Sequence, residues 1–184
     1  MDNGASSYRR FLDGDDNGFV QIIKDYKDGL ILYINNFTDN IHTAEDLAED
    51  TFVKIVTKKP RFSGKASFKT WLYAIGRNVT LDYLRKNRCA EVNLDELPEL
   101  KQDEETLESS YIKKEDKIAL RKAMAKLNPQ YKQVLWLVYF ENFSNRETAA
   151  IIRKTVRNTE TLLYRAKKSL KTELEKEGFV YEKL

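Results

Sequence analysis

The chain has 184 residues, of which 33% are charged and 41% hydrophobic, and its formal net charge is +3. This length suits one domain or two small ones, and only seven Gly and three Pro leave room for long helices in a water-soluble protein. A single cysteine excludes a disulfide framework and a cysteine-based zinc site, and the lack of an apolar run of about 20 residues excludes a membrane-spanning helix.

The charges are segregated along the chain. Acidic residues dominate up to Asp50, basic residues dominate from Arg61 to Arg88, and acidic residues return from Glu91 to Glu108. Blocks of this kind indicate several separate surfaces for partners. Because the first residues are polar, we also expect no signal peptide and a cytoplasmic location.

The sequence pattern up to Pro60 predicts a tail followed by two helices. We expect residues 1–15 to form a flexible tail and Asp15 or its neighbour to cap the first helix. A second helix, capped by Thr43, stops before Pro60. Its predicted buried residues are Leu47, Phe52, Val53 and Val56, and its outer face carries Glu45, Asp46, Glu49 and Asp50. These acids either favour the positive end of the helix dipole or form a docking face for a basic partner.

Residues 61–88 combine aromatic rings with fixed positive charge. The pattern predicts a loop around Gly64 and then a helix whose buried stripe contains Phe68, Leu72, Ile75, Val79 and Tyr83. Beside that stripe we expect Trp71, Asn78, Asp82 and Arg85, and behind it Lys69, Tyr73, Arg77 and Arg88. In proteins that hold a single nucleic-acid strand, bases stack on rings and cations follow the phosphates. The alternative is an ordinary core helix with a solvated basic face.

Residues 89–112 predict a solvated, flexible linker. The segment is rich in Asp and Glu, Pro98 interrupts any helix, and its three leucines are too sparse to form a core.

Residues 113–184 predict a second helical domain with a helix-turn-helix. Asn128-Pro129 marks a helix start, and Ser144 with Glu147 forms a capping box before a short helix. After a turn at residues 153–154, Thr155 caps a longer helix. Its outward residues are Arg157, Asn158, Glu160, Thr161, Tyr164, Arg165, Lys167 and Lys168. In this motif the early residues of the second helix reach base edges in the major groove, whereas a plain helical hairpin is the alternative.

These segments resemble one family, the bacterial RNA polymerase sigma factors of the extracytoplasmic-function group. Their promoter-melting segment resembles PRFSGKASFKTWLYAIGRNVTLDYLRK, and their core-binding helix resembles AEDLAEDTFVKI. Their C-terminal helix-turn-helix domain resembles LNPQYKQVLWLVYFENFSNRETAAII followed by TLLYRAKKSLKTEL. The resemblance implies an all-α fold with a sigma-2 domain over 16–88, the flexible acidic linker over 89–112 and a sigma-4 domain over 113–184.

The resemblance also implies roles for particular residues, with no catalytic group, cofactor or metal. The residues matched to contact with the polymerase clamp are Asp46, Glu49, Asp50 and Phe52. Those matched to the −10 element and its melted strand are Arg61, Phe62, Lys65, Ser67, Trp71, Arg77, Asn78, Arg85 and Arg88. Those matched to the −35 element are Thr155, Arg157, Asn158, Glu160, Thr161, Tyr164 and Arg165. The implied partners are core RNA polymerase (the clamp of its largest subunit and the flap of its second-largest), promoter DNA and an anti-sigma factor.

Some positions depart from the family pattern. Arg153 stands in the turn where Gly is usual, so a side chain must adopt a positive φ. Thr159 stands where an aliphatic residue is common and Glu160 where a base is common. The −35 sequence therefore cannot be transferred from relatives.

Two other functions fit parts of the sequence. A helix-turn-helix regulator that binds duplex DNA alone would leave residues 61–88 unexplained, and a helical interaction adaptor would show no DNA selectivity. An enzyme fits poorly, because His42 is the only histidine, the carboxylates are not clustered around a pocket and no P-loop or dinucleotide glycine pattern occurs.

Overall fold

The computed structural model describes residues 2–90 and 111–177, with side chains described for residues 2–87 and 118–177. Within these ranges all regular structure is helical, which confirms the predicted all-α fold. Most of the predicted linker lies outside the described residues.

The first helix, α1 (Asn3–Leu12), stands where the sequence predicted a flexible tail, so that part of the prediction was wrong. Asp2 caps α1 by accepting a hydrogen bond from the N–H of Ala5 at 3.2 Å. Tyr8 and Phe11 lie on one face of α1 and are buried against the following helices. Only two large apolar residues define this face, and the helix is too short for such a pattern to stand out in the sequence.

Three longer helices complete the first half of the molecule: α2 (Asp16–Thr38), α3 (Ile41–Lys58) and α4 (Phe68–Ala90). Asp15 caps α2 as predicted, but α3 is capped by Asn40 rather than Thr43. The Asn40 side chain accepts from the N–H of Thr43, so the chain enters α3 three residues earlier than expected. α3 ends at Lys58, and the next residue, Lys59, caps it in the left-handed conformation just before Pro60.

The second half contains α5 (Tyr111–Ala125), α6 (Pro129–Leu135), a π-helical segment (Trp136–Phe140), α7 (Asn145–Ile152) and α8 (Val156–Lys176). The caps predicted at Asn128, Ser144 and Thr155 are all present, and Ser144 with Glu147 forms the full capping box. Arg153 ends α7 with φ 56°, the left-handed backbone that its position in the turn demanded.

The hydrophobic core of the first half continues into the second. Leu137, Phe143 and Ile151 are buried in the same cluster as the α2–α4 residues. A smaller cluster around Val134, Leu135 and Ala166 lies wholly within the second half. Hydrogen bonds also join the halves; for example, the Gln133 amide donates to the Tyr33 hydroxyl at 2.7 Å. The two helical groups therefore pack directly against each other.

Candidate nucleic-acid interface

The loop between α3 and α4, residues 59–67, presents its positive charges to solvent. Lys59 (φ 40°) and Gly64 (φ 69°) both adopt left-handed backbone, so the chain changes direction twice within a few residues. Arg61 and Lys65 are exposed on this loop. Their charged groups are thus accessible to phosphates.

A cluster of aromatic rings lies beneath the loop. The Phe62 ring from the loop and the Trp71 ring from α4 are half-buried, with centroids 5.4 Å apart. Both lie over Phe68, which is fully buried, at centroid distances of 5.7 and 5.3 Å. Partly exposed rings next to exposed cations are the arrangement on which unpaired bases stack.

Arg77, predicted on the solvent side of α4, instead points towards the second half of the molecule. Its side chain is half-buried, and its Nε is a buried atom with no hydrogen-bond partner among the described residues. Burial lowers the pKa of the Arg77 guanidinium, and the nearby charge of Arg153 lowers it further. This cation is therefore only partly available to DNA in the arrangement observed.

The remaining predicted residues of α4 lie further along the helix. Arg85 is exposed and forms an ion pair with Asp82 at 2.9 Å. At the usual helical rise, Arg85 lies about 20 Å further along α4 than Trp71. Asn78 is half-buried between them, and the side chain of Arg88 lies outside the described residues. The structure thus brings Arg61, Phe62, Lys65, Ser67 and Trp71 together and leaves Arg85 as a separate contact point.

The start of α4 also contacts the start of α7 through Glu147. One carboxylate oxygen, Oε2, accepts from the backbone N–H of Ser144 at 3.0 Å and completes the capping box. The other, Oε1, lies 3.2 Å from the hydroxyls of both Ser67 and Thr70. Burial alone would raise the pKa of Glu147, but these hydrogen bonds outweigh it and the pKa is lowered.

Another polar contact between the halves involves Glu141, which follows the π-helical segment. Its Oε2 lies 2.8 Å from the Lys69 ammonium and accepts a 2.8 Å hydrogen bond from the Tyr73 hydroxyl. Tyr73, predicted on the outer face of α4, is 1% exposed. Burial and the adjacent carboxylate raise the pKa of Tyr73, so the phenol stays protonated as a donor.

The helix-turn-helix presents its predicted contact residues along one face of α8. The exposed residues are Thr155, Arg157, Asn158, Glu160, Thr161, Tyr164 and Arg165. Tyr164 is the most open of the exposed apolar side chains in the described chain, at 70%. Thr155 caps α8 by accepting a hydrogen bond from the N–H of Asn158 at 3.2 Å. This local bond stabilises the first turn of α8, which carries the predicted contact residues.

Thr159 of α8 is fully buried, at the position where an aliphatic residue was expected from the family pattern. Its hydroxyl donates to the carbonyl of Thr155 at 3.0 Å, which satisfies the polar group within the helix. The departure from the family pattern at this position therefore leaves the motif intact.

The outer face of α3 carries the predicted acidic residues, whereas Phe52, which the family resemblance matched to the clamp, is buried as the apolar pattern predicted. Asp46, Glu49 and Asp50 are exposed. Phe52 is only 6% exposed and packs edge-on against Phe19, so it cannot form part of a docking face in this conformation. The reason lies in the helical phase, which turns residue 52 inward.

Comparison with known proteins matches both halves to one family. Residues 22–89 match the family model Sigma-70 region 2, and residues 117–170 match Sigma-70, region 4. The RNA polymerase sigma factor YlaC of Bacillus subtilis is 31% identical over 160 residues, spanning 84% of this chain and 91% of YlaC. The chain is an RNA polymerase sigma factor of the sigma-70 family.

One relative belongs to the extracytoplasmic-function group, and one solved structure shares the fold. The ECF RNA polymerase sigma factor SigW of Bacillus subtilis is 28% identical over 170 residues, spanning 88% of this chain and 91% of SigW. The sigma factor RpoE from Bartonella quintana, solved in complex with the anti-sigma factor NepR, shares the fold with a TM-score of 0.72 at 23% identity. That match covers 85% of this sigma factor and 96% of RpoE.

The structure of this sigma factor also adds residues to the candidate surfaces. Val53, predicted to be buried, is 50% exposed and lies one turn beyond Glu49 on the acidic face of α3. Tyr8 of α1 contacts Trp71, although α1 was not expected to exist. The signal that could have revealed Val53 is the helical phase set by Leu47, Phe52 and Ile55, all of which are buried.

The described part of this sigma factor contains no group of His, Cys, Asp or Glu side chains that could hold a metal ion. Within the same residues, no helix is both long enough and apolar enough to cross a membrane.

Proposed function

We propose that this sigma factor binds core RNA polymerase in the cytoplasm and directs promoter-specific initiation without catalysis of its own. The observation that carries the proposal is the presence, on one chain, of two surfaces of different chemistry. One is the aromatic and cationic loop before α4, and the other is the exposed face of the helix-turn-helix. A regulator that only binds duplex DNA has no use for the first surface.

The −10 element would be opened at the loop of residues 59–67. Arg61 and Lys65 attract the phosphates, while Phe62 and Trp71 offer rings to an unstacked base. Unstacking a base costs a few kcal/mol, which stacking and phosphate contacts must offset. Arg77, Asn78 and Arg85, with Arg88 further on, would follow the separated strand along α4.

The −35 element would be read by the first turns of α8. Arg157 and Asn158 lie at the exposed start of this helix, where side chains of a recognition helix reach base edges. Thr161 and Arg165 follow one and two turns later on the same face. Glu160 can accept a hydrogen bond from a cytosine amino group, which gives this protein its own base preference.

The acidic face of α3 is the proposed contact with the clamp of the largest polymerase subunit. Asp46, Glu49 and Asp50 supply charge, and the exposed Val53 supplies apolar area in place of the buried Phe52. The helices of the second half would meet the flap of the second-largest subunit. An anti-sigma factor is a further partner, by analogy with RpoE, which was solved with NepR.

The test is run-off transcription with purified core polymerase on a fragmented genomic library. We expect transcripts to begin at a small set of sites that share two spaced sequence elements. Transcription that is no more selective than that of core polymerase alone would refute the proposal. The same protein assayed without polymerase controls for stand-alone binding to duplex DNA.

A further inference from the structure

Helix α1 contacts both the start and the end of the loop of residues 59–67. At the start, the Tyr8 hydroxyl donates to the carbonyl of Pro60 at 2.8 Å, and the Lys59 ammonium lies 5.0 Å above the Phe11 ring. At the end, the carboxylate of Asp2 accepts from the N–H of Phe68 at 2.6 Å. The same carboxylate caps α1, so one side chain ties the beginnings of α1 and α4 together.

The loop lacks comparable support of its own. Among the described residues, no backbone hydrogen bond joins two members of the 60–66 stretch. A stretch without backbone hydrogen bonds of its own depends for its shape on anchors supplied by neighbouring elements. The anchors at both of its ends include contacts to α1.

Tyr8 also packs against Trp71, the α4 residue whose ring contacts Phe62 of the loop. Its ring centroid lies 5.2 Å from that of Trp71 and 5.6 Å from that of Phe68. Tyr8 is only 1% exposed, so it cannot touch DNA itself. Any effect of Tyr8 on the promoter must therefore pass through the residues that it contacts, which include Trp71 and Pro60.

We propose that Tyr8 and Asp2 are positioning residues for promoter opening. They hold the residue 59–67 loop and Trp71 in the shape that receives the unpaired base. This inference rests on the proposed function, because it assumes that the loop is the site of base capture.

The test uses Tyr8→Phe in the complete sigma factor, assembled with core polymerase on a promoter recovered from the genomic library. This change removes only the hydroxyl bond to Pro60 and keeps the ring against Trp71. We expect the rate of open-complex formation to fall roughly two- to tenfold, the range expected for one hydrogen bond. Discrimination between the preferred and an altered base at the captured −10 position should fall by a similar factor.

This discrimination ratio separates positioning from a general loss of stability. A smaller fraction of active protein lowers the opening rates on the preferred and the altered promoter equally and leaves their ratio unchanged. Thr51→Val is the matched control, because it also removes one buried hydroxyl bond to a backbone carbonyl in the same half, at 2.8 Å, without touching the loop. We expect its discrimination ratio, core-polymerase affinity and −35 affinity to equal those of the unchanged protein.

Asp2→Asn gives a second, independent measurement. It replaces one carboxylate oxygen with an NH2 group, so the side chain can no longer accept from the N–H groups of both Ala5 and Phe68. Its discrimination ratio should fall as for Tyr8→Phe. The inference is overturned if Tyr8→Phe and Asp2→Asn both keep the ratio of the unchanged protein, or if core binding falls as much as opening. If the unchanged protein itself opens no promoter with core polymerase, it is the proposed function that fails.

Discussion

Glu147 uses its two carboxylate oxygens for two different contacts, one within α7 and one to the start of α4. Both contacts need the ionised form, and the folded state lowers the pKa of Glu147. Between that lowered pKa and the ordinary value of 4.5, the unfolded chain binds more protons than the folded one. The stabilisation is therefore complete above the ordinary value and is lost as the pH falls through the folded value.

We accordingly expect Glu147→Gln to lower the free energy of unfolding by about 1 kcal/mol near neutral pH, because hydrogen bonds to a charged acceptor are stronger than those to a neutral amide by about this amount. The difference from the unchanged protein should shrink as the pH is lowered below the ordinary Glu value. Urea unfolding at a series of pH values measures it. Glu49→Gln, at an exposed position on α3, is the control and should show no such convergence. A constant gap at all pH values would contradict this role for the carboxylate.

Arg157 carries the prediction for the −35 surface, because it is exposed in the first turn of α8. Replacing Arg157 with Ala should weaken binding to the preferred −35 sequence by about 1–3 kcal/mol and relax discrimination at one base pair. Competition binding of the polymerase complex to matched and substituted promoters measures both. Arg121→Ala removes the same charge from the exposed side of α5 and should leave discrimination intact. Equal, sequence-independent losses for the two variants would assign Arg157 to phosphate contact instead.

The turn of the helix-turn-helix is an element whose backbone the sequence predicted well. Arg153 was expected at positive φ, and it has φ 56°. A side chain in the left-handed region costs roughly 1–2 kcal/mol, which Gly avoids. We expect Arg153→Gly to raise the thermal unfolding midpoint and Arg153→Ala to lack that gain, although both remove the same charge. A matching rise for both variants would point to relief of repulsion with Arg77 rather than to backbone strain.

Local signals predicted most of the elements, because caps and apolar periodicity act within a few residues. Asn128, Ser144 and Thr155 stand where their helices begin, and the exposed face of α8 follows from its spacing. Contacts between elements were not readable in this way. At Gly29 in α2, for example, a Cβ would lie 2.6 Å from the Tyr73 hydroxyl. Gly29 thus leaves room for a side chain 44 positions away in the chain.

The same limit explains why the positions of Arg77, a predicted site residue, and of Tyr73 were misjudged. α4 is amphipathic, and its polar side was expected to face water. The second half covers part of that side, which buries Tyr73 and half-buries Arg77. Nothing local to α4 encodes this, since the groups that cover it lie more than 60 residues later, at Glu141 and Arg153.

At the scale of the whole molecule, the contacts between the halves engage residues assigned to the −10 element. Ser67 contacts Glu147, and Arg77 is half-buried facing the second half. Glu141, with 10% of its side chain exposed, contributes both the ion pair to Lys69 and the bond from Tyr73. If DNA can bind these residues fully only when the halves are apart, the apparent affinity for the promoter equals the intrinsic affinity multiplied by the fraction of open molecules.

Glu141→Gln should therefore shift the free protein towards a more open arrangement, because it removes the charge that pairs with Lys69 while keeping the side-chain size. We expect the contact to weaken by about 1–2 kcal/mol, since Lys69 remains partly solvated. Small-angle scattering should show a larger radius of gyration, and transcription should need less sigma factor at limiting core polymerase. Glu173→Gln breaks the ion pair to Lys176 within α8 and should change neither quantity. Identical scattering curves for the two variants would show that Glu141 does not hold the halves together.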